Sequence, residues 1–409
     1  MKYSRSGQYE LLKLYITTNT NNPVEIDVRS AFIDATVYES IFDQTMSGNV
    51  TLADTNNLVQ KYGLGNGELV TIEWTTAGVN DATIVSEGVV YDMTPPMRIN
   101  DHASAFTLHF TSPEMITSMR QKMFNGYRDS CSNIVNVIFD RIRRSSKNNQ
   151  KNIELSSTKN IEHIVFTGQT PLDAIRLLTN RSISTNNMSG YMFFEDNTSY
   201  KFKPIEELYA QDPVIEYSYR SSSAFEDVKN SHEETSSTFK EFDIDYSNKY
   251  ADEILDGQYG SATAYFSLKN KSINILNYDA SSNFNVSSSL GKTPFTISSS
   301  FNDKYSDRLS INYSSEHNVH EIAKVQNRMK LLKSNSFMVN IGVFGLSTIK
   351  VGDVCLAKIP TFSSESLSVN DTDHISGKFL IAEIKHILTP KLYNQRIRLI
   401  KDSYEENIA

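Results

Sequence analysis

The stretch Val70-Thr71-Ile72-Glu73-Trp74 alternates apolar and polar side chains without a break. Period two sends one set to a buried face and the other to water, the pattern of a half-buried strand. It is entered through Gly67-Glu68-Leu69, and the same device recurs near the other end of the chain. Gly352-Asp353-Val354-Cys355-Leu356-Ala357 repeats the order glycine, acid, alternating strand. Around the first copy, Val24, Ile26 and Val28 alternate with Glu25 and Asp27, Val50 and Leu52 flank Thr51, and Phe106, Leu108 and Phe110 alternate with Thr107 and His109. Turn residues at 47–49, 63–67, 78–81 and 100–101 separate the runs. Short strands at this spacing predict a barrel or sandwich. Around the second copy, Phe337, Val339, Ile341 and Val343 alternate before Gly345, and two more strands are expected over 379–388 and 396–400. A β module thus stands at each end of the chain.

Between them the period changes. Ser112-Pro113-Glu114 reads as N-cap, first helical position and acid at the positive end of a helix dipole, with Met115, Ile116, Met119 and Met123 following at helical spacing. A second helix carries Ile134, Ile138 and Ile142. Thr170-Pro171-Leu172-Asp173 opens a third, with Ile175 and Leu178 inward, and Tyr191, Phe193, Phe194, Tyr200 and Phe202 predict a hairpin. Strand fragments are expected over 239–246 and 262–268, and the Ser-rich stretch 281–300 reads as a long loop or as a partly disordered segment. A helix returns with Val319, Ile322, Val325, Met329 and Leu332. The expected fold class is α+β, mainly β. Its domains are 1–112 as a first β module, 113–320 as an α+β middle that includes 281–300, and 321–409 as a second β module with a lead-in helix.

Composition narrows the function. The 409 residues hold 40 Lys+Arg against 48 Asp+Glu, a net of −8, which disfavours a global nucleic-acid binder. The 2 cysteines, Cys131 and Cys355, exclude a disulfide scaffold and an all-cysteine zinc site. No apolar run reaches the ~20 residues of a membrane span, and no signal peptide is read at the N-terminus, so a soluble protein made in a reducing cytoplasm is expected. His317 and His320 stand three apart at a helix start, but the His-Glu-x-x-His order of a zinc peptidase is absent. His232-Glu233-Glu234 reads as solvated loop. The run Arg141, Arg143, Arg144, Lys147 and Lys151 lacks the interleaved aromatics of a nucleic-acid site and also reads as loop. Gly63-Leu64-Gly65-Asn66-Gly67 precedes a strand rather than a helix, so it cradles no phosphate. No nucleophile elbow, Walker loop or dinucleotide fingerprint occurs. Catalytic, metal-binding and cofactor-binding residues are therefore expected to be none, which points to a structural or interaction protein rather than an enzyme.

Several segments, in order, resemble the baseplate central hub proteins of contractile-tailed bacteriophages of the T-even type and of related injection machines. Tyr38-Glu39-Ser40-Ile41-Phe42, Ser47-Gly48-Asn49-Val50-Thr51-Leu52-Ala53-Asp54 and Gly67-Glu68-Leu69 are similar to the first tube domain. Thr170-Pro171-Leu172-Asp173-Ala174-Ile175 and Gly190-Tyr191-Met192-Phe193-Phe194 are similar to the middle domain. Gly257-Gln258-Tyr259-Gly260 and Tyr278-Asp279 resemble the link to the second tube domain. Ile349-Lys350-Val351-Gly352-Asp353, Ser376-Gly377-Lys378-Phe379-Leu380-Ile381 and His386 resemble that domain itself. The resemblance implies two tube-type β-barrels flanking and interleaved with a spike-binding middle domain. It implies a homotrimeric ring without an active site, adapting a three-fold spike to a six-fold tail tube around a channel for the genome. The implied partners are the chain itself, the central spike, tail tube or tube-initiator proteins, and tape measure and baseplate wedge proteins, with DNA only in passage and no stable membrane association. The implied place is the virion, assembled in the host cytoplasm. A tail-associated cell-wall hydrolase and a host-surface-binding tail protein are the alternatives.

Charge adds to this picture. Residues 1–112 carry 6 basic and 13 acidic side chains, a net of −7, while residues 324–409 carry 12 and 8, a net of +4. In a ring where first and second barrels alternate, these opposite charges would be neighbours. Asp27, Asp34, Glu39 and Asp43 are the expected acidic contacts, and Lys378, Lys385, Arg396 and Arg398 the basic ones. Gly67, Gly352 and Gly377 are expected to hold tight turns entering strands.

Overall fold

The computed structural model describes residues 7–55, 57–77, 82–100, 103–143, 151–159, 161–186, 188, 190–219, 237–239, 241–245, 260–267, 271–279, 290, 293–294, 309–313, 337–362, 367–368 and 375–404. It is mainly β with a few helices. The first module holds β1 (Tyr9–Thr17), β2 (Glu25–Asp27), β3 (Phe32–Ser40), β4 (Ser47–Asp54), the short helix α1 (Leu58–Tyr62), β5 (Leu69–Thr76), β6 (Thr83–Asn100) and β7 (Ala103–Thr111). Its strands run in the order β2-β1-β5-β6-β7-β4-β3. The alternation read around Trp74 is real: Val70, Ile72 and Trp74 are all fully buried. Strands β1, β3 and β6 and the helix α1 were not read in the sequence.

The middle holds α2 (Pro113–Met119), β8 (Gly126–Ser130), α3 (Cys131–Ile142), β9 (Asn152–Leu155), β10 (Ile161–Val165), α4 (Pro171–Thr179), β11 (Tyr191–Glu195), β12 (Ser199–Pro204) and α5 (Ile205–Tyr209). Ile134, Ile138, Ile142, Ile175 and Leu178 pack with Tyr191, Phe193, Tyr200 and Phe202 in one core. Thr170 caps α4 as expected, its Oγ1 accepting from the Asp173 N–H at 3.3 Å. The first helix differs from its reading. α2 stops at Met119, which is 58% exposed, while Met123 is buried beyond the helix and pairs with Gln169. Ser112 sits at the N-cap but makes no capping bond; its hydroxyl turns instead to Glu195 and to the Met46 carbonyl.

Next come β13 (Pro213–Tyr219), β14 (Thr238–Phe239) and β15 (Glu241–Asp245), then β16 (Gly260–Ser267), β17 (Ser272–Asp279), β18 (Thr293–Pro294) and β19 (Leu309–Tyr313), of which β16, β17 and β19 form a separate three-stranded sheet. The chain ends with β20 (Phe337–Phe344), β21 (Val354–Lys358), β22 (Thr361–Phe362), β23 (Leu367–Ser368), β24 (Gly377–Leu388), β25 (Tyr393–Lys401) and β26 (Ser403–Tyr404). Strands β13 and β15, from the stretch assigned to the middle, pair with β21 and β20 and so extend the sheet of the last module. Of the Ser-rich stretch, β18 pairs with β26 and Leu290 is buried in the last module's core. The lead-in helix, with His317 and His320, lies outside the described residues, as does His232-Glu233-Glu234.

One strand joins the two β modules. β24 pairs with β21 over its first residues and then, along the same edge, with β3 of the first module, while β25 runs along its other edge. The result is a single 14-stranded sheet spanning both modules. Two cores lie under it. The first module's core recruits Leu388 and Tyr393 from β24 and β25, so that core is completed by strands of the last module.

The six-residue likeness between the modules extends to the backbone. Gly67 donates its N–H to Val90 O at 2.8 Å, and the Val90 N–H returns to Glu68 O at 2.8 Å. Gly352 donates to Ile381 O at 2.8 Å, and the Ile381 N–H returns to Asp353 O at 2.9 Å. In each turn the acid also accepts from the N–H three residues earlier: Glu68 from Gly65 at 3.0 Å, Asp353 from Lys350 at 3.0 Å. Both glycines have positive φ, +98° and +85°, where a side chain is strained. The glycine makes the bend and the acid ties it off, after which a strand begins.

Candidate functional site

At the seam between the modules, the sheet's outer face forms an open groove of about 610 Å³. It crosses β3, β24, β25, β20 and β15, lined by Tyr38, Glu383, Lys385, Arg396, Arg398, Asn340, Glu241 and Asp243 among others. Register places these side chains in two transverse rows. One row runs Glu241, Gly342, Arg396, Lys385, Tyr38; the other runs Asp243, Asn340, Arg398, Glu383, Ser40. In the second row the charges are satisfied locally: Arg398 donates to Glu383 Oε1 at 3.0 Å and to Asn340 Oδ1 at 3.2 Å. In the first row, the Lys385 ammonium stands 5.1 Å from the Tyr38 ring centroid and Arg396 faces solvent.

Beneath this face lies a buried polar cluster. Glu39 of β3 and His386 of β24 are 2% and 0% exposed, and Nε2 of His386 lies 3.4 Å from Glu39 Oε1. Nδ1 of His386 is 2.7 Å from the Tyr393 hydroxyl. Gln395 donates to that hydroxyl at 2.9 Å and also clasps both backbone groups of Leu346. Trp74 closes the cluster edge-on to the rings of His386 and Tyr393. Burial pushes the Tyr393 phenol far above its usual range, so it stays protonated.

A second polar junction ties the first module to the middle. Glu195 accepts from Ser112 Oγ, from the Met46 N–H at 2.8 Å and from Lys151 Nζ at 2.8 Å. Lys151, read as part of a solvated basic run, is thus engaged; Arg144 and Lys147 of that run lie outside the described residues. Tyr200 donates to Glu114 Oε2 at 3.1 Å, and burial, helped by the charge of Glu195, raises the Glu114 carboxyl. Glu114 therefore serves as a buried acceptor rather than as a solvated charge at a helix start. Nearby, burial works to raise Asp196, but Lys201 at 2.8 Å and the N–H groups of Thr198 and Ser199 outweigh it and hold that carboxyl low.

The expected contact residues separate into two groups. Glu39, Asp43, Lys385, Arg396 and Arg398 line the one groove. The acidic and basic ends of the chain therefore meet within a single chain, through β3 and β24. Glu39 is too buried to act as a rim charge. Asp27 sits on the edge strand β2, paired with Arg29 at 2.7 Å, and Asp34 accepts from Thr51 at 3.1 Å. Lys378 faces Leu356 at the start of β24, outside the groove. Gly67, Gly352 and Gly377 all have positive φ. Sequence reasoning missed Glu241, Asp243, Asn340 and Glu383. Glu241 and Asp243 alternate visibly along their strand, but nothing local says that this strand reaches β20.

Cys131 and Cys355 are buried, and burial raises the Cys131 thiol to about 11, so neither is an available nucleophile. Among the described residues no group of three His, Cys, Asp or Glu side chains could hold a metal ion, and no helix is long and apolar enough to cross a membrane.

No family model matches the chain, and no curated protein matches it. Solved structures do. The tail protein from Neisseria meningitidis MC58 aligns over 96% of this chain and 97% of its own, with a TM-score of 0.54 at 10% identity. The 43 kDa tail protein of prophage MuSo2 from Shewanella oneidensis aligns over 95% and 98%, with a TM-score of 0.54 at 11% identity. The Francisella PdpA-VgrG complex aligns over 98% of this chain and 54% of its own, with a TM-score of 0.50 at 12% identity. Over nearly its whole length, the chain shares its fold with solved tail proteins, one of them from a prophage.

Proposed function

We propose that the chain is the baseplate central hub of a contractile phage tail. It acts as a non-enzymatic, homotrimeric ring that adapts a three-fold spike to a six-fold tail tube and forms part of the genome channel. The observation that carries this reading is the pair of β modules with the same glycine–acid turn, joined edge to edge by β24 and β3. Three such chains supply six similar modules, so a trimer presents a near-six-fold rim. The middle is assigned to the spike. The two rims are assigned to tail tube or tube-initiator proteins, with tape measure and baseplate wedge proteins as further partners. DNA is met only in passage, no stable membrane association is needed, and the chain works in the virion after assembly in the host cytoplasm. Domains at 1–112, 113–320 and 321–409 fit this division of labour, with β13 and β15 lent to the last module. Asp27, on the outer strand β2, is assigned to the contact with the next chain. The test is the mass of the purified full chain together with its negative-stain image. A particle of about 139 kDa, three times 46.3 kDa, with a central hole is expected. A stable monomer at micromolar concentration, or a compact particle without a hole, overturns the reading.

A further inference from the structure

The groove breaks a rule that the rest of the sheet keeps. Arg396 and Lys385 are directly opposite each other on β25 and β24. Like charges so placed repel and are destabilising. In the same sheet two other cross-strand cations meet acids: Lys13 meets Glu73 at 2.6 Å, and one row away Arg398 meets Glu383; like charges also stand opposite in the small β8–β10 sheet, where Glu162 faces Asp129. Among the described residues neither Arg396 nor Lys385 has an acidic partner within 4.0 Å. The residue beside Arg396 on β20 is Gly342, which has no side chain of its own, and the Glu241 carboxylate leans over it, with Oε2 3.8 Å from where a Cβ would stand. A second, opposite pole lies two strands away, where Glu241 and Asp243 stand exposed on β15. At ~4.8 Å per strand the backbones of β25 and β15 are about 10 Å apart, a separation that Asp243 keeps while Glu241 reaches inward over Gly342, and the five strands make a groove of about 19 Å.

From this geometry we propose that the groove is a docking site for an extended peptide segment of a partner protein. The segment carries a carboxylate over Arg396 and Lys385, and an ammonium or guanidinium about three residues away over Glu241 and Asp243. At ~3.3 Å per residue, a segment of about six residues spans the five strands. Nucleic acid is the wrong occupant, because a uniform row of phosphates that meets Arg396 also meets Glu241 and Asp243. The uncompensated Arg396–Lys385 pair is completed by the partner's carboxylate, and Tyr38 holds the Lys385 ammonium in place from its far side. The site does not depend on the hub reading: it lies within one chain, and a monomer presents it as well as a ring.

The test titrates the full chain with a fluorescent eight-residue peptide bearing two Glu and two Lys separated by two Ser, followed by anisotropy at low salt. Controls are the same composition in alternating order and a single-stranded oligonucleotide. Saturable binding of the block peptide is expected, weakened about fivefold by Arg396→Glu and similarly by Lys385→Glu, with the alternating peptide and the oligonucleotide binding more weakly. A block peptide with Lys facing position 396 should recover binding to the Arg396→Glu variant, which a merely misfolded variant would not allow. Absence of saturable binding at millimolar peptide, equal binding of both peptides, or tighter binding of the oligonucleotide overturns the proposal. Mass measured on the same samples reports the oligomeric state separately.

Discussion

Single residues at the seam set sharp expectations. Gly352 has φ +85°, and a Cβ there would lie 3.0 Å from the Phe194 ring. Gly352→Ala is expected to cost about 1–3 kcal/mol, from left-handed backbone strain plus displacement of Phe194, with Gly352→Asn less harmful because Asn tolerates that region better. Thermal unfolding of the two variants checks both size and order; equal, unchanged melting temperatures would remove the turn from the argument. Glu39 and His386 face each other in a buried polar contact, Nε2 3.4 Å from Oε1, so removing one partner leaves a buried polar group without its neighbour. Glu39→Leu alone is expected to cost about 1–3 kcal/mol by stranding a buried polar group, whereas Glu39→Leu with His386→Phe recovers much of the loss. A double-mutant cycle in denaturant measures this, and simple additivity would mean that the two groups do not interact.

At the scale of elements, pH separates two carboxylates near the β11–β12 turn. Asp196 is held below its usual range by Lys201 and the turn's N–H groups despite burial. Its contribution is complete above the unfolded carboxylate range and is lost as pH falls through its lowered value. Glu114 is raised, first by burial and then by Glu195. The folded state therefore holds that proton more tightly, so its contribution is complete at acid pH and falls as pH rises through the raised value. Asp196→Asn is expected to flatten the acid limb of the stability curve, and Glu114→Gln to raise stability near neutral pH relative to pH 4. Denaturant midpoints at pH 3, 4, 5 and 7 test both slopes; parallel curves for wild type and variants would refute the assignment. The elements themselves were legible where one face is buried throughout, as in β5, α3, α4 and β24. Period and caps are local, so Trp74, Ile138 and Thr170 declare themselves. What stayed hidden is non-local. β3 reads weakly because Glu39 and Ser40 are buried polar residues on a strand whose logic lies in β24. Ser112 looks like a cap, but Glu195, 83 positions away, claims its hydroxyl. Half of the groove was legible as charge alternation on β24 and β25; β15 was legible as a strand within 239–246, but its place was not, since that follows from pairing with β20.

For the whole molecule, the sheet's ends decide how chains would meet. Strand β2 ends one side of the 14-stranded sheet and β15 ends a branch on the other. Both are acidic: Glu25 and Asp27 on β2, and Glu241, Asp243 and Asp245 on β15. Lys385, Arg396 and Arg398 lie on inner strands, so their attraction to the acidic module is exerted inside the chain, before any assembly. If subunits of the proposed ring approach through these edges, like charges face one another and oppose encounter. Added salt screens that repulsion, with a Debye length of about 30 Å at 0.01 M falling to about 8 Å at 0.15 M. Trimerisation of the isolated chain is therefore expected to speed up as salt rises from about 0.01 to 0.15 M. Asp243→Lys with Asp245→Lys should speed it at low salt and flatten the dependence, whereas Arg396→Glu with Arg398→Glu should leave the rate nearly unchanged. Stopped-flow light scattering at several salt concentrations measures all three. Assembly slowed by salt and by loss of Arg396 and Arg398 would instead place those two arginines at the contact between chains. It would also make the groove a subunit interface rather than a docking site for a partner's peptide, so this measurement tests the ring and the groove together.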